Sequence, residues 1–257
     1  MNKFLTIVLL ISPYAPLFAE VKPNPLFADN AVLQQGMSLP VWGTAADGEK
    51  VTVEFAGQKV SSTSSKGSWN VQFEPIKAIT NPLTMTITGA TNIVTLTNLL
   101  VGEVWICSGQ SNMERQLGPR VGQKPLVNWE AEATSANHPM LRHFLVKKTI
   151  SPTPLSEVSG NWQVCNPQTV TNFTAVGYYF GRDLQKDLKV PVGLIHISWG
   201  GTPAEAWTRW EAMEPHPVLQ SILQRHSNDI TTYPDRLTKY QADEPRLKEE
   251  YKNAIAK

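Results

Sequence analysis

The hydrophobic pattern changes period at Val101, and that change constrains the fold more than any other feature of the chain. From Val21 to about Leu100, apolar and polar residues alternate. In "VTVEF", Val51, Val53 and Phe55 share one face and Thr52 and Glu54 the other. In "SWNVQF", Trp69, Val71 and Phe73 line up, and in "LTMTITG" Leu83, Met85 and Ile87 stand against three threonines. Asp47-Gly48 sits between two such runs as a turn dipeptide. Period two with one wet face predicts antiparallel strands packed as a sandwich. Five or more of them in about eighty residues predict a small all-β domain.

Past Val101 the runs "VGEVWIC" and "VPVGLIHIS" are nearly continuous in apolar residues. Such runs suit strands covered on both faces. Between them, Ala175, Val176, Tyr179, Phe180, Leu184 and Leu188 recur at helical spacing behind Thr174, a residue fit to cap a helix. "MLRHFLV" reads as a further strand. Strand, helix, strand, with Gly200-Gly201 at the last strand's end, is the order of a parallel α/β sheet. Ligands on such sheets bind at the carboxyl ends of strands. Residues 211–257 are charged and broken by Pro215, Pro217, Pro234 and Pro245, with "PRLKEEYKNAIAK" as an exposed helix. The fold class expected is α/β: a small N-terminal β-sandwich over 20–100, then an α/β domain with a parallel sheet over 101–257.

Lys3, the apolar run "FLTIVLLI" and the small residue Ala19 have the order of an export leader over 1–19, cleaved near Ala19–Glu20. The run is too short to span a bilayer. Formal charge is +1 over 257 residues, which gives no electrostatic case for nucleic acid or an anionic membrane. Cys107 and Cys165 are the two cysteines. Without a CxxC pair or a histidine cluster they make no zinc site, and packing is the expected role of Cys107. No cofactor or metal is implied.

The strand ending in "CSGQSNM" delivers Ser111 to that carboxyl edge. An uncharged serine hydroxyl needs a base to become a nucleophile, and donors aimed at the oxyanion that forms. Gly109 lets the backbone turn sharply. If Asn112 and Met113 begin a helix, the N–H of Ser111 points at the oxyanion, and Gly200 or Gly201 can supply a second N–H. The second glycine of a G-x-S-x-G elbow is missing, because Met113 stands there. No G-x-x-x-x-G-K-[ST] phosphate loop occurs.

"GEVWICSGQSNMERQL" resembles the nucleophile block of the sialate O-acetylesterase family, a branch of the SGNH-type hydrolases. "FTAVGYYFGRDL" followed by "VPVGLIHISWGGTPAEAWT" resembles its next block, and "NAVLQQGMSLPVWGTA" with "GEKVTVEFAGQ" its β-rich leader. The resemblance covers roughly 24–210. It implies an α/β/α hydrolase fold, Ser111 as the acyl-accepting nucleophile, Gly200 or Gly201 beside Ser111 in the oxyanion hole, and Gln110 and Asn112 lining the pocket. The implied reaction removes O-acetyl esters from sugars, of sialic acid or xylan type.

The family's later "WYQGESN"-like block and its Asp-x-x-His block do not occur in these 257 residues. The expectation is therefore an incomplete SGNH-like domain, the N-terminal part of a longer esterase or the partner of a separate C-terminal polypeptide. Of the five histidines, His138 reads as a surface residue and His226 as solvated, His216 stands between two prolines with no plausible partner, and His143 and His196 read as satisfied core imidazoles. Glu205 and Arg209 read as capping or solvating the helix they begin. A non-catalytic glycan-binding role is the alternative, with Trp42, Trp69 and Trp207 as candidates for stacking on sugars.

Overall fold

The alternating residues form the strands their spacing predicts. A computed structural model describes residues 20–151 and 153–255; the leader expected over 1–19 lies outside the described residues. In chain order the strands are β1 (Lys22–Pro23), β2 (Val32–Gln34), β3 (Leu39–Thr44), β4 (Lys50–Phe55), β5 (Gln58–Thr63), β6 (Ser68–Phe73), β7 (Ile79–Thr88), β8 (Ile93–Gly109), β9 (His138–Leu145), β10 (Trp162–Cys165) and β11 (Val192–Ser198). The α-helices are α1 (Ser111–Glu114), α2 (Trp129–Ser135), α3 (Ala175–Leu188), α4 (Trp210–Met213) and α5 (Gln220–Ile255). The described chain divides into two compact units, one ending at Gly200 and the other beginning at Gly201.

In the first unit, β1, β3 and β6 make a three-stranded antiparallel sheet. The second sheet runs β10-β9-β11-β8-β7-β4-β5, with β2 also paired to β8. Val51, Val53, Phe55, Trp69, Val71, Phe73, Met85 and Ile87 are all buried in one apolar core between the two sheets. This is the sandwich, and Trp69 belongs to its interior.

Strands β9, β11 and β8 are parallel, with β11 in the middle, and β2 also runs parallel to β8. Helix α3 covers one face. The side chain of Thr174 accepts the N–H of Gly177 and so caps α3 as its position predicts. Leu141, Leu194, Phe173, Tyr178, Cys107 and Cys165 form a second core under that helix, and both cysteines are free thiols. The molecule is thus mixed α/β with an N-terminal sheet, as expected.

In the first unit two features differ from the sequence reading. Strand β8 runs without a break from Ile93 to Gly109, through the expected boundary at Val101. The change of period marks a change in what covers the strand, not an end of it. Full coverage also stops early: Trp105 is 44% and Ile106 66% exposed. Trp105 stands edge-on to Phe180 of α3 at 5.1 Å.

In the second unit, the helix expected after Ala204 is a short 3-10 turn, Ala204–Trp207. Helix α5 spans 36 residues and passes through Pro234 and Pro245. Both lie on an exposed helix, where water can take the carbonyl bonds they leave open. No described helix is long and apolar enough to cross a membrane.

Candidate functional site

Parallel pairing brings the two glycine-bearing strand ends together. Ser198 of β11 stands opposite Gly109 of β8, and the N–H of Trp199 donates to the Gly109 carbonyl at 3.0 Å. Gly109 has φ +139°, a region that disfavours side chains. The chain turns there and enters α1 at Ser111, with Gln110 as its capping residue.

Gln110, Ser111 and Asn112 are all exposed. Gln110 Oε1 accepts the Ser111 N–H at 2.6 Å and also the Ser111 hydroxyl. Gly200 lies alongside: a Cβ built on it would stand 3.4 Å from Ser111 Oγ. Gly201 opens the second unit with φ +83°.

The Gly200 N–H is engaged. It donates to Glu114 Oε2. The other carboxylate oxygen of Glu114 takes Lys148 Nζ at 2.5 Å and Arg120 Nη1 at 3.0 Å. The Glu114 side chain is only 12% exposed. The Lys148 ammonium, helped by the Gly200 amide and Arg120, holds its acidity at about 2, so it is ionised at any ordinary pH. Sequence reasoning missed this group. Glu114 follows Ser111 by three residues, a spacing that shares a helix face, and that was the available signal. Nothing in the sequence connects it to Lys148, thirty-four residues on.

Beside this carboxylate lies a cleft of about 740 Å³ lined by Glu114, Gln116, Arg120, Lys148, His196 and Ser198. His196 Nε2 is 2.5 Å from Ser198 Oγ, and its Nδ1 has no partner. His143, one strand over, is buried with neither ring nitrogen bonded; its ring stacks 4.0 Å from that of Phe173. Both are core imidazoles, as expected, but neither is fully satisfied. Burial lowers the basicity of both. No described histidine hydrogen-bonds to Ser111. In the second unit Glu205 pairs with Arg225 at 3.1 Å, while Arg209 is exposed and meets Glu211 at 3.5 Å. The described residues offer no group of three or more His, Cys, Asp or Glu side chains placed to hold a metal.

Comparison with known proteins gives one consistent family. The model of a carbohydrate esterase, sialic acid-specific acetylesterase, matches residues 101–242. Sialate O-acetylesterase of Rattus norvegicus is 32% identical over 209 residues, covering 72% of this chain and 37% of that protein. The Homo sapiens protein of the same name is 28% identical, covering 68% of this chain and 36% of its own. A solved structure of a carbohydrate acetylesterase from Xanthomonas citri superposes with TM-score 0.69 at 31% identity, over 74% of this chain and 42% of that one. The chain therefore spans well under half the length of these relatives.

Proposed function

This chain belongs to the sialic acid-specific acetylesterase family of carbohydrate esterases, and from that premise we propose that it carries the nucleophile of an exported sugar O-acetylesterase. One observation carries the reading. An exposed serine hydroxyl stands at the carboxyl edge of a parallel sheet with the backbone of Gly200 beside it.

In the proposed reaction Ser111 Oγ attacks the acetyl carbonyl and its proton passes to a base. The substrate displaces Gln110 Oε1, which frees the Ser111 N–H for the oxyanion. Collapse breaks the bond to the sugar oxygen, which leaves as an alkoxide, takes the proton back from the base and becomes the sugar hydroxyl, while acetyl stays on Ser111. Water then releases acetate by the reverse proton path. The base is assigned to an Asp-x-x-His block of the kind the family carries, on chain continuing beyond these residues or on a second polypeptide. Substrates are acetylated sugars, of sialic acid or plant-polysaccharide type. The leader over 1–19 would deliver the protein to the periplasm or the exterior.

A second reading has one observation in its favour. The outward face of β3 and β6 presents Trp42 among Thr44, Ser68, Asn70 and Gln72, over a cavity of about 360 Å³. An indole edged by amides and hydroxyls suits a sugar ring. It would bind glycan whether or not Ser111 reacts.

A fluorophosphonate probe separates the two. The first reading expects slow label on Ser111 at high probe concentration, slow because the base lies elsewhere and lost in Ser111→Ala, with aryl-acetate turnover by the chain alone up to about a million-fold below a complete triad. A folded chain labelled no faster than its Ser111→Ala variant at that concentration, yet retained on an acetylated polysaccharide through Trp42, would replace it with the second.

A further inference from the structure

We propose that Glu114 is a positioning residue of this site. Its carboxylate clamps the Gly200 peptide beside Ser111 and thereby removes the Gly200 N–H from the oxyanion donors. The inference rests on the esterase reading above and narrows it.

The geometry is that of a bracket. One oxygen of Glu114 is anchored by two cations, Lys148 at 2.5 Å and Arg120 at 3.0 Å. The other accepts the Gly200 N–H. Since Glu114 closes the same single helical turn that Ser111 opens, the bracket ties the nucleophile's turn to the end of β11. A carboxylate hydrogen bond to a backbone amide is charge-assisted and roughly twice as strong as a neutral one. It does not dissolve at working pH, because Lys148 first, then the Gly200 amide and Arg120, hold the acid at about 2. An amide N–H has one proton to give, and this one is given to Glu114.

The clamp has a consequence for the reaction. A negative charge forming on the substrate needs its donors fixed in advance, and a displacement of about 1 Å can cost on the order of 10²-fold in rate. Glu114 supplies that fixity to the Ser111 turn and its N–H, by tying the turn to the Gly200 peptide, without touching the reacting carbonyl. Lys148 and Arg120 neutralise a carboxylate that would otherwise oppose the oxyanion.

The test uses the full chain and two readouts. The first is the Gly200 amide proton by NMR. A charge-assisted bond places it downfield; Glu114→Gln should move it upfield, and in Lys148→Met its acid titration should rise from about 2 toward the ordinary carboxylate range. The second is the rate of Ser111 phosphonylation by a fluorophosphonate. Glu114→Ala should slow it about 10²-fold. Glu114→Gln, which still accepts the amide, should restore part of the loss. An unmoved Gly200 proton, or equal labelling of Glu114→Gln, Glu114→Ala and the natural chain, overturns the proposal. A Gly200 proton that moves in a chain labelled no faster than Ser111→Ala at high probe concentration overturns the esterase reading instead, and leaves the bond a structural one. If Glu114→Ala fails to fold, Glu114→Gln and Lys148→Met decide it.

Discussion

His143 is a buried base with nothing to bond. It is 3% exposed, both ring nitrogens lack partners, and Phe173 stacks on it. Burial, then the neighbouring His196 on β11, push its basicity down to about 3 from 6.5. The folded state therefore holds it neutral, while the unfolded chain takes up a proton below about 6.5. Stability contributed by the neutral form is intact above that pH. It declines as pH falls through 6.5 and goes on declining until the folded imidazole itself protonates near 3. By pH 4.5 the loss is on the order of 2–3 kcal/mol. His143→Phe, which keeps an aromatic ring against Phe173, should melt with a smaller drop between pH 7 and pH 4.5 than the natural chain. Parallel pH dependences would show that His143 is not the source. His196, also lowered by burial, remains in both proteins and sets a common background. The sequence placed both histidines in apolar runs and so predicted their burial. It also expected them satisfied, and they are not fully so: the atoms around an apolar run are set by the packed elements, which left both His143 nitrogens and His196 Nδ1 without a partner. Glu114 was illegible for the same reason: its spacing from Ser111 is local, but the cation and the amide that give it a role are not.

Helix α3 shows which element properties a sequence carries. Its apolar spacing and its Thr174 cap are local, and both were realised. How closely it lies on the sheet is set by two glycines on its buried face. A Cβ on Gly181 would come within 2.7 Å of Leu194 Cδ1 and 2.8 Å of Leu141 Cδ1; one on Gly177 would meet Thr174 Cγ2 at 2.6 Å and Cys107 Sγ at 3.0 Å. At Gly181 both obstacles are ends of flexible leucines. Alanine there gains about 1 kcal/mol of helix propensity, against overpacking of about 1–3 kcal/mol. Gly181→Ala should therefore shift stability by no more than about 2 kcal/mol, whereas Gly181→Val adds branched bulk without the propensity gain and should cost more. Urea denaturation ranks the pair, and a valine as mild as alanine would mean that α3 stands off the sheet. Helix α5 was foreseen only from Pro245 onward, and its earlier part was missed because proline is a helix breaker only on average. Strand β8 misled in the other direction. An apolar run reports what a strand would bury, and Trp105 and Ile106 show that the covering layer need not reach its end.

At the scale of the first unit, the sandwich and the parallel sheet share one strand and one set of bonds. Val101, where the period changes, is fully buried in the sandwich core, and six residues later Cys107 lies in the core beneath α3. Side chains cross the same boundary. Trp162 of β10 packs in the sandwich core and donates to the Leu26 carbonyl at 2.8 Å. The buried guanidinium of Arg142 on β9 reaches Asn98 of β8, with Nη2 3.0 Å from Oδ1 and Nη1 on the backbone carbonyl. Two domains joined by a linker would unfold separately; two halves of one strand cannot, since freeing either strips backbone partners from the other. Leu99 tests this directly. It is 1% exposed, sits in the sandwich core and lies on β8 ahead of the change. Leu99→Ala should destabilise by about 2–5 kcal/mol. Native-state hydrogen exchange should show that loss at the amides of Val53 and Val71 in the sandwich and, equally, at Leu194 in the parallel sheet. Protection at Leu194 that survives while Val53 and Val71 lose theirs would mean that the two halves open independently, and that the period change at Val101 is a domain boundary after all.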